Sequence, residues 1–297
     1  MTRLGAAIRL GDREVCRLGF GAMQLPGPGV WGQPCDPVAA RAVLRRAVEL
    51  GIHLIDTAWY YGPLVANQWI AETLYPYPDH LMIATKLGGS RRSDASWGVA
   101  LRPEQLRQGC DTDLRSLRLD RIELVHLRWT RGTDVPFRES LDAMLALQAE
   151  GKLRHLGVSN VTLAQLRDAL ARTPLASVQN LYNVAAGPRR LARLPEAVVE
   201  DQQDVLALCE ARGVAFLPFY PLAIPYAGPL AAPAVAAIAA RRGCSEAQIA
   251  IAWLLARSPA MLPIPGTRSL DHLEQNWAAR TIALDPDEIA AITAARA

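Results

Sequence analysis

The segment His53-Leu-Ile-Asp56-Thr-Ala-Trp-Tyr-Tyr61-Gly62 holds a carboxylate and, five residues on, a phenol. A short apolar run bounded by turn signals predicts a buried strand, which puts Asp56 at its carboxyl end and Tyr61 in the loop beyond. An acid and a phenol so placed could move protons. Equally, a strand-end Asp can cap a turn and a Tyr can simply pack. A second run, Met82-Ile-Ala-Thr-Lys86, ends in a lysine after four mostly apolar residues. A lysine there needs a partner, and Asp56 is the expected one. Its ammonium would then sit beside Tyr61, favour phenolate and lower the phenol from its ordinary pKa of about 10. A tyrosine so tuned can give a proton to a developing alkoxide, or take one in reverse.

Other predicted strand ends carry further polar groups. Ser159 and Asn160 end one run, and Gln179 and Asn180 end the next. A hydroxyl and carboxamides could hydrogen-bond an amide-bearing ligand such as nicotinamide, or satisfy loop backbone. Pro218-Phe219-Tyr220-Pro221-Leu222 places an aromatic where a flat ring could stack. Ile264-Pro265-Gly266-Thr267-Arg268 feeds a helix starting near Ser269, a loop suited to a phosphate.

These positions acquire meaning from the elements that carry them. Ile8–Val15 predicts a small hairpin turning at Gly11-Asp12, within a unit of about residues 6–16. After it, strands at Leu18–Ala22, His53–Thr57, Leu81–Lys86, Ile122–Arg128, His155–Ser159, Ser177–Leu181, Ala215–Phe219 and Met261–Ile264 alternate with helical patterns. Helices are expected over Pro37–Leu50, Ala66–Leu74, Pro103–Leu117, Phe137–Glu150, Leu163–Arg172, Asp201–Arg212, Pro233–Arg241, Glu246–Ala256, Leu270–Ala279 and Asp285–Ala295. Pro37 and Pro103 stand in first turns, while Gly51, Gly151 and Gly213 fall just past helix ends. Eight strands each followed by a helix imply an α/β fold, a (β/α)8 TIM barrel of one domain spanning 1–297. An open doubly wound sheet is disfavoured, because Gly19-Phe20-Gly21-Ala22-Met23 is no G-x-G-x-x-G and opens no helix.

The chain has 297 residues, 51% of them apolar, and a net charge of only +3. Paired arginines (Arg45-Arg46, Arg91-Arg92, Arg189-Arg190, Arg241-Arg242) are scattered, which argues against nucleic acid as a partner. Five cysteines without a C-x-x-C predict a reduced, cytoplasmic protein with neither disulfides nor a metal site. The N-terminus lacks the apolar core of a signal peptide, and no apolar run suits a membrane span. The alanine-rich stretch Leu230–Ala240 is expected to form a helix of the outer ring.

Together these pieces resemble the aldo-keto reductase superfamily from about Leu18 to about Ala279. The resemblance rests on Gly19-Phe-Gly21-Ala22-Met23, Asp56-Thr-Ala-x-x-Tyr61-Gly, Ala84-Thr-Lys86, Gly151-Lys-Leu-Arg-His-Leu-Gly-Val-Ser-Asn160, Val178-Gln-Asn-x-Tyr-Asn183 and Ile264-Pro-Gly-Thr. It implies a TIM barrel without a Rossmann domain that binds NAD(P)H over the strand ends and reduces carbonyls by hydride transfer. It further implies catalytic roles for Asp56, Tyr61 and Lys86. Ser159, Asn160 and Gln179 would hold the nicotinamide amide and Phe219 would stack on its ring. Gly266, Thr267, Arg268, His272, Gln275 and Asn276 would grip the adenosine phosphate and adenine.

The fourth catalytic position departs from that family, which usually carries histidine there. Counted from Glu123, the slot falls on Arg128, and His126 lies two residues earlier, one layer deeper with the same facing. An arginine could donate to a carbonyl oxygen or grip a substrate anion bidentately, but cannot relay a proton. Its charge should favour Tyr61 phenolate further, by about 4 kcal/mol at most at about 4 Å. Alternatively Arg128 pairs with Glu123 or a loop acid, turned away from the site. Arg268 would supply the charge for a 2′-phosphate, so NADP(H) is preferred and NAD(H) is possible. Trp31, Trp59, Tyr60, Trp97 and Trp129 could wall an apolar substrate pocket.

The leading expectation is an NADP(H)-dependent oxidoreductase acting on a small carbonyl or its alcohol. One alternative is a cofactor-binding regulatory subunit with little turnover, like the potassium-channel β subunits of the superfamily, which lack the histidine too. Another is a barrel enzyme that eliminates or isomerises through Tyr61 and Arg128. Oligomeric state is not readable from these residues.

Overall fold

The computed structural model describes residues 7–185, 202–222 and 232–295. The chain opens with an antiparallel hairpin, β1 (Ala7–Leu10) and β2 (Arg13–Cys16), turning at Gly11-Asp12 as expected. The strands that follow are β3 (Phe20–Gly21), β4 (Leu54–Asp56), β5 (Met82–Leu87), β6 (Gly89–Arg91), β7 (Trp97–Val99), β8 (Ile122–Arg128), β9 (Leu153–Ser159), β10 (Ser177–Gln179) and β11 (Ala215–Phe216). Seven of these form one parallel sheet in the order β3-β4-β5-β8-β9-β10-β11. The hairpin β6–β7, which is not among the expected strands, stands in the connection after β5.

The eighth expected strand, Met261–Ile264, is an extended link rather than a regular strand. On one side Phe216 donates to the Ala260 carbonyl and Leu262 donates to the Phe216 carbonyl, both at 2.8 Å. On the other side Gly19 donates to Pro263 at 2.9 Å and Gly21 to Pro265 at 3.2 Å. Pro263 and Pro265 have no N–H, so this segment can only accept from the first strand. The ring of strands is closed all the same. A Cβ on Gly21 would stand 2.6 Å from the Ile264 oxygen, and one on Gly266 would stand 2.4 Å from the Gly21 oxygen, so closure needs bare backbone there.

Alternation along the strands sorts the side chains. Leu54, Met82, Ala84, Leu124, Ala215, Leu217, Leu262 and Ile264 fill the lumen, and Leu10 and Val15 of the hairpin pack into the same cluster. Outward-facing Val125, Leu127, Leu156 and Val158 pack with helix residues such as Leu106, Leu141, Met144 and Leu166. Truncating such a residue, as in Leu127→Ala, costs about 2–5 kcal/mol.

Helices lie at Pro37–Glu49, Val65–Leu74, Pro103–Leu117, Phe137–Ala149, Leu163–Arg172, Gln202–Arg212, Pro233–Arg242, Glu246–Arg257, Leu270–Ala278 and Pro286–Ala294. Their ends follow the sequence signals. Asp36 caps the first by accepting from the Ala39 N–H, and Thr162 and Ser245 open capping boxes with Gln165 and Gln248. Gly51, Gly151 and Gly213 stop helices at φ of 85°, 77° and 63°. The alanine-rich stretch forms its helix from Pro233. Ala6, Asp201, Leu230 and the pair Arg189-Arg190 lie outside the described residues.

Candidate active site

Beyond the apolar lumen layer, the same inward parity delivers Asp56, Lys86, Arg128, Ser159 and Gln179 to the strands' carboxyl ends, Asp56 and Lys86 two residues past Leu54 and Ala84 and Arg128 four past Leu124. The Lys86 ammonium donates to Asp56 Oδ2 at 2.6 Å and to the Thr57 carbonyl at 3.1 Å. Gln179 Nε2 donates to Asp56 Oδ1 at 2.8 Å, so both carboxylate oxygens are engaged. Lys86 and Asp56 side chains are each only 4% exposed. A pair this deep tolerates no missing partner, because the survivor would be a buried, uncompensated charge.

Tyr61 closes over this pair. The Lys86 ammonium lies 5.0 Å from the centroid of its ring, and Tyr61 is buried. Its phenol is pushed well above the usual range, first by burial and then by the negative charge of Asp56, with Arg128 opposing. This overturns the expectation of a phenol lowered by its cations. The Lys86 charge is committed to Asp56 and stands over the ring, while desolvation penalises the phenolate. Tyr61 therefore holds its proton at neutral pH and is set up as an acid.

Arg128 ends β8, half-buried, paired in register with Ser159. Its Nη1 donates to Thr130 Oγ1 at 3.1 Å. Its positive charge favours the ionised forms of both Tyr60 and Tyr61, which puts the guanidinium on their side of the mouth. The alternative of a pair with Glu123 fails on distance. Five residues of strand separate the two by about 16 Å, and Glu123 instead meets Arg154 at 3.4 Å, Arg121 at 3.6 Å and Arg13 at 3.7 Å. His126 lies one layer below Arg128, fully buried, with Nε2 2.8 Å from Ser177 Oγ. Burial pushes it down to about 4, so the imidazole is neutral. Gly157 makes room for it, since a Cβ there would stand 2.5 Å from the ring.

The residues expected to hold a dinucleotide line one arc of the mouth. Ser159 pairs in register with Gln179, and Asn160, at φ 57°, donates from Nδ2 to the Trp129 carbonyl at 2.9 Å. Phe219 is half-buried beside Asn180, to whose carbonyl it donates at 3.0 Å, and Tyr220 meets it edge-on. Pro221 is buried and Leu222 packs onto the cores behind. Ala22 and Met23 open a short 3-10 turn directly after Gly21. Across the seam come Ile264, Pro265, Gly266 and Thr267. Thr267 Oγ1 accepts from the Ser269 N–H, and Ser269 caps the helix Leu270–Ala278. Arg268 and His272 are exposed at that helix's leading end and Gln275 is exposed farther along it, whereas Asn276 is buried. A helix N-terminus with an exposed guanidinium fits an anionic ligand group.

The five aromatics divide. Trp59 packs against Gly109, whose added Cβ would stand 3.0 Å from its Nε1, and Trp129 lies edge-on to Phe137. Both therefore have partners among the helices. Tyr60 is buried and edge-on to Tyr61 and Trp97. Trp97 and Trp31 are joined by Arg91, whose guanidinium carbon lies 4.0 and 5.4 Å from their ring centroids.

Sequence reasoning missed a buried polar chain behind the pair. Thr57 Oγ1 donates to Asn67 Oδ1 at 2.8 Å, and Asn67 Nδ2 donates to Asp113 Oδ1 at 2.7 Å and Ser116 Oγ at 3.0 Å. Asp113 is fully buried, and burial pushes its carboxyl up to about 7. A signal existed. Leu106, Cys110, Asp113 and Leu117 recur at helical spacing, so an acid occupies a core position.

A profile described as the Aldo/keto reductase family matches residues 17–297. A pyridoxine 4-dehydrogenase from Escherichia coli (strain K12) is 41% identical over 288 residues, covering 95% of this chain and 96% of that protein. An uncharacterized oxidoreductase from Schizosaccharomyces pombe is 40% identical over 285 residues, covering 95% and 87%. Among solved structures, an aldo/keto reductase from Klebsiella pneumoniae in complex with NADP and acetate superposes with a TM-score of 0.76. It is 25% identical and covers 98% of this chain and 95% of that one.

Proposed function

The chain belongs to the aldo/keto reductase family, and from that premise we propose that it interconverts an aldehyde and a primary alcohol with NADP(H), Tyr61 handling the proton. The observation that carries this reading is the buried Asp56–Lys86 pair at 2.6 Å under a phenol that keeps its proton. The nicotinamide, when bound, donates or accepts the hydride. Ser159, Asn160 and Gln179 would hold its amide, Phe219 its ring, and Arg268 with the helix at Leu270 the adenosine phosphate. NADP is bound by the Klebsiella pneumoniae homologue, which supports the same choice here.

Tyr61 protonates the carbonyl oxygen as charge develops there, while Lys86, fixed by Asp56 and the Thr57 carbonyl, offsets the carboxylate's charge beneath the Tyr61 ring. Arg128 supplies a second donor to the same oxygen in place of an imidazole. The pyridoxine 4-dehydrogenase relative suggests a hydroxymethyl group, or its aldehyde, on a pyridine ring as substrate. All five cysteines are free thiols, which supports a cytoplasmic setting.

The test is NADPH oxidation with pyridoxal, in the native protein and in Tyr61→Phe. The native protein should turn over. The variant should lose at least about 1,000-fold in kcat while binding NADPH as before, by cofactor fluorescence. Retained turnover in Tyr61→Phe would sink the mechanism.

A further inference from the structure

We propose that Asp113, Asn67 and Thr57 form a positioning relay, which carries the protonation state of a carboxyl outside the barrel to the Lys86 ammonium inside it. The inference rests on the reading of Tyr61 as proton donor and adds a control over that step.

The relay crosses the barrel wall at Thr57, which follows β4 directly. Its N–H donates to the Ala84 carbonyl at 2.8 Å, its carbonyl accepts from Lys86 at 3.1 Å, and its hydroxyl donates to Asn67 Oδ1 at 2.8 Å. Asn67 lies in the helix Val65–Leu74, whose first turn also holds the Tyr61 carbonyl through the Ala66 N–H at 3.1 Å. One carboxamide thus ties the carbonyl that seats Lys86 to the segment that carries Tyr61. Its amide nitrogen donates to Asp113 Oδ1 at 2.7 Å and to Ser116 Oγ at 3.0 Å. Thr57, Asn67, Thr85 and Asp113 are fully buried, so water cannot stand in for a lost partner. A Lys86 displaced from its seat would leave the Asp56 charge less offset beneath Tyr61, and that charge makes the phenol a poorer acid.

The second Asp113 oxygen makes the relay respond to a proton. Among the described residues, Asp113 Oδ2 and Thr85 Oγ1 are both buried without a hydrogen-bond partner, and Thr85 lies beside the carboxyl without completing a bond to it. A proton on Oδ2 turns that oxygen into a donor for Thr85 and leaves Oδ1 to accept from Asn67, so the neutral acid closes the relay. A carboxylate is instead a buried charge short of donors, and the groups around it must shift to answer it. The helix Val65–Leu74 presents Asn67, the loop after β4 presents the Trp59 N–H, and β5 presents Thr85 with Lys86 beyond it. The helix of Asp113 itself presents Ser116 and the Cys110 thiol. Lys86 favours the carboxylate but is already committed to Asp56 at 2.6 Å. Burial therefore prevails and pushes Asp113 up to about 7, while it pushes His126 down to about 4 and Cys110 up to about 12. Tyr60 and Tyr61 are pushed up as well, again by burial. The relay should thus loosen as pH rises through about 7, where these neighbours hold their states.

The experiment follows NADPH oxidation by 4-nitrobenzaldehyde, which carries no titrating group, from about pH 5.5 to about pH 9 at saturating cofactor. Native kcat should hold level to about pH 7 and then fall by about 3- to 10-fold. Asp113→Asn, which keeps an acceptor for Asn67 and a donor for Thr85 at every pH, should lack that fall. Thr57→Val removes the relay's hydroxyl. It should lower kcat at pH 6 by about tenfold while leaving the aldehyde KM and the NADPH Kd within about twofold. It should also flatten the pH profile, because the link to Asp113 is cut. Thr57→Ser should restore both the rate and the profile. A level native profile, a fall that persists in Asp113→Asn, or native kcat in Thr57→Val overturns the relay and leaves the reductase reading intact. If the native protein reduces neither 4-nitrobenzaldehyde nor pyridoxal, the two fall together.

Discussion

Replacing Asp113 by Asn should stabilise the protein, by an amount that grows as pH rises from about 4 to about 7. In the folded chain the Asp113 carboxyl is raised from an ordinary 3.8 to about 7, chiefly because it is fully buried. A raised folded pKa means that the native state holds a proton that the unfolded chain has released. The stabilising contribution of the neutral acid is complete below about pH 4 and is lost as pH rises through about 7. Each tenfold in proton affinity is worth about 1.4 kcal/mol, so the whole span comes to about 4 kcal/mol. Burial leaves no solvent screening to discount, although the nearby Lys86 charge already works in the carboxylate's favour. Asparagine keeps an oxygen for the Asn67 amide, whose bond to Asp113 is 2.7 Å, and never ionises. Urea unfolding of the native protein and Asp113→Asn at pH 5, 7 and 9 measures the difference directly, because every other titrating group cancels. Taking asparagine as equivalent to the protonated acid, the variant should gain about 2 kcal/mol at pH 5 and about 4 kcal/mol at pH 7 and pH 9. A variant that gains equally at all three values, or that loses stability at pH 9, refutes the assignment of a strained carboxylate.

Two further predictions concern the mouth. Lys86→Met leaves Asp56 buried without its cation, so it should destabilise by about 3–5 kcal/mol, read by urea midpoint, and abolish turnover as well. Arg268→Ala should weaken NADPH binding by about tenfold and NADH binding far less, since charge-assisted contact to the 2′-phosphate is what it would remove. Equal weakening of both cofactors by fluorescence titration would assign Arg268 another role.

The barrel was legible because period-two alternation and helix punctuation are local signals. Leu54 and Asp56, or Ala84 and Lys86, reveal by spacing alone that a polar layer follows an apolar one. The pair of Asp56 with Lys86 was likewise foreseeable, since a lysine ending a buried strand must be answered. What burial does to a phenol was not, because desolvation of Tyr61 depends on neighbours brought in from the whole chain. Gln179 reaches Asp56 across 123 positions, and no short window contains that bond. The β6–β7 hairpin escaped notice because Arg91-Arg92-Ser93-Asp94 reads as polar loop, with no alternation to mark its strands. Asp113 was readable in principle, as an acid in an apolar helical stripe, but its partners Asn67 and Thr57 come from elsewhere.

The proline-built seam makes the barrel a belt with a buckle. Between the first strand and the segment at Pro263–Pro265 every backbone donor belongs to Gly19 and Gly21, and the proline side has only carbonyls to give. Such a joint cannot zip from both edges, so it is where transient breathing of the ring should concentrate, visible as fast amide exchange at Gly19 and Gly21. Gly21 and Gly266 face each other across it. A dinucleotide laid over both edges would fasten the buckle, so saturation with cofactor should slow exchange at those two amides. The same occupancy should raise resistance to unfolding by about 2.7 kcal/mol at a hundredfold excess over Kd. Binding and barrel integrity would then be one equilibrium viewed from two sides.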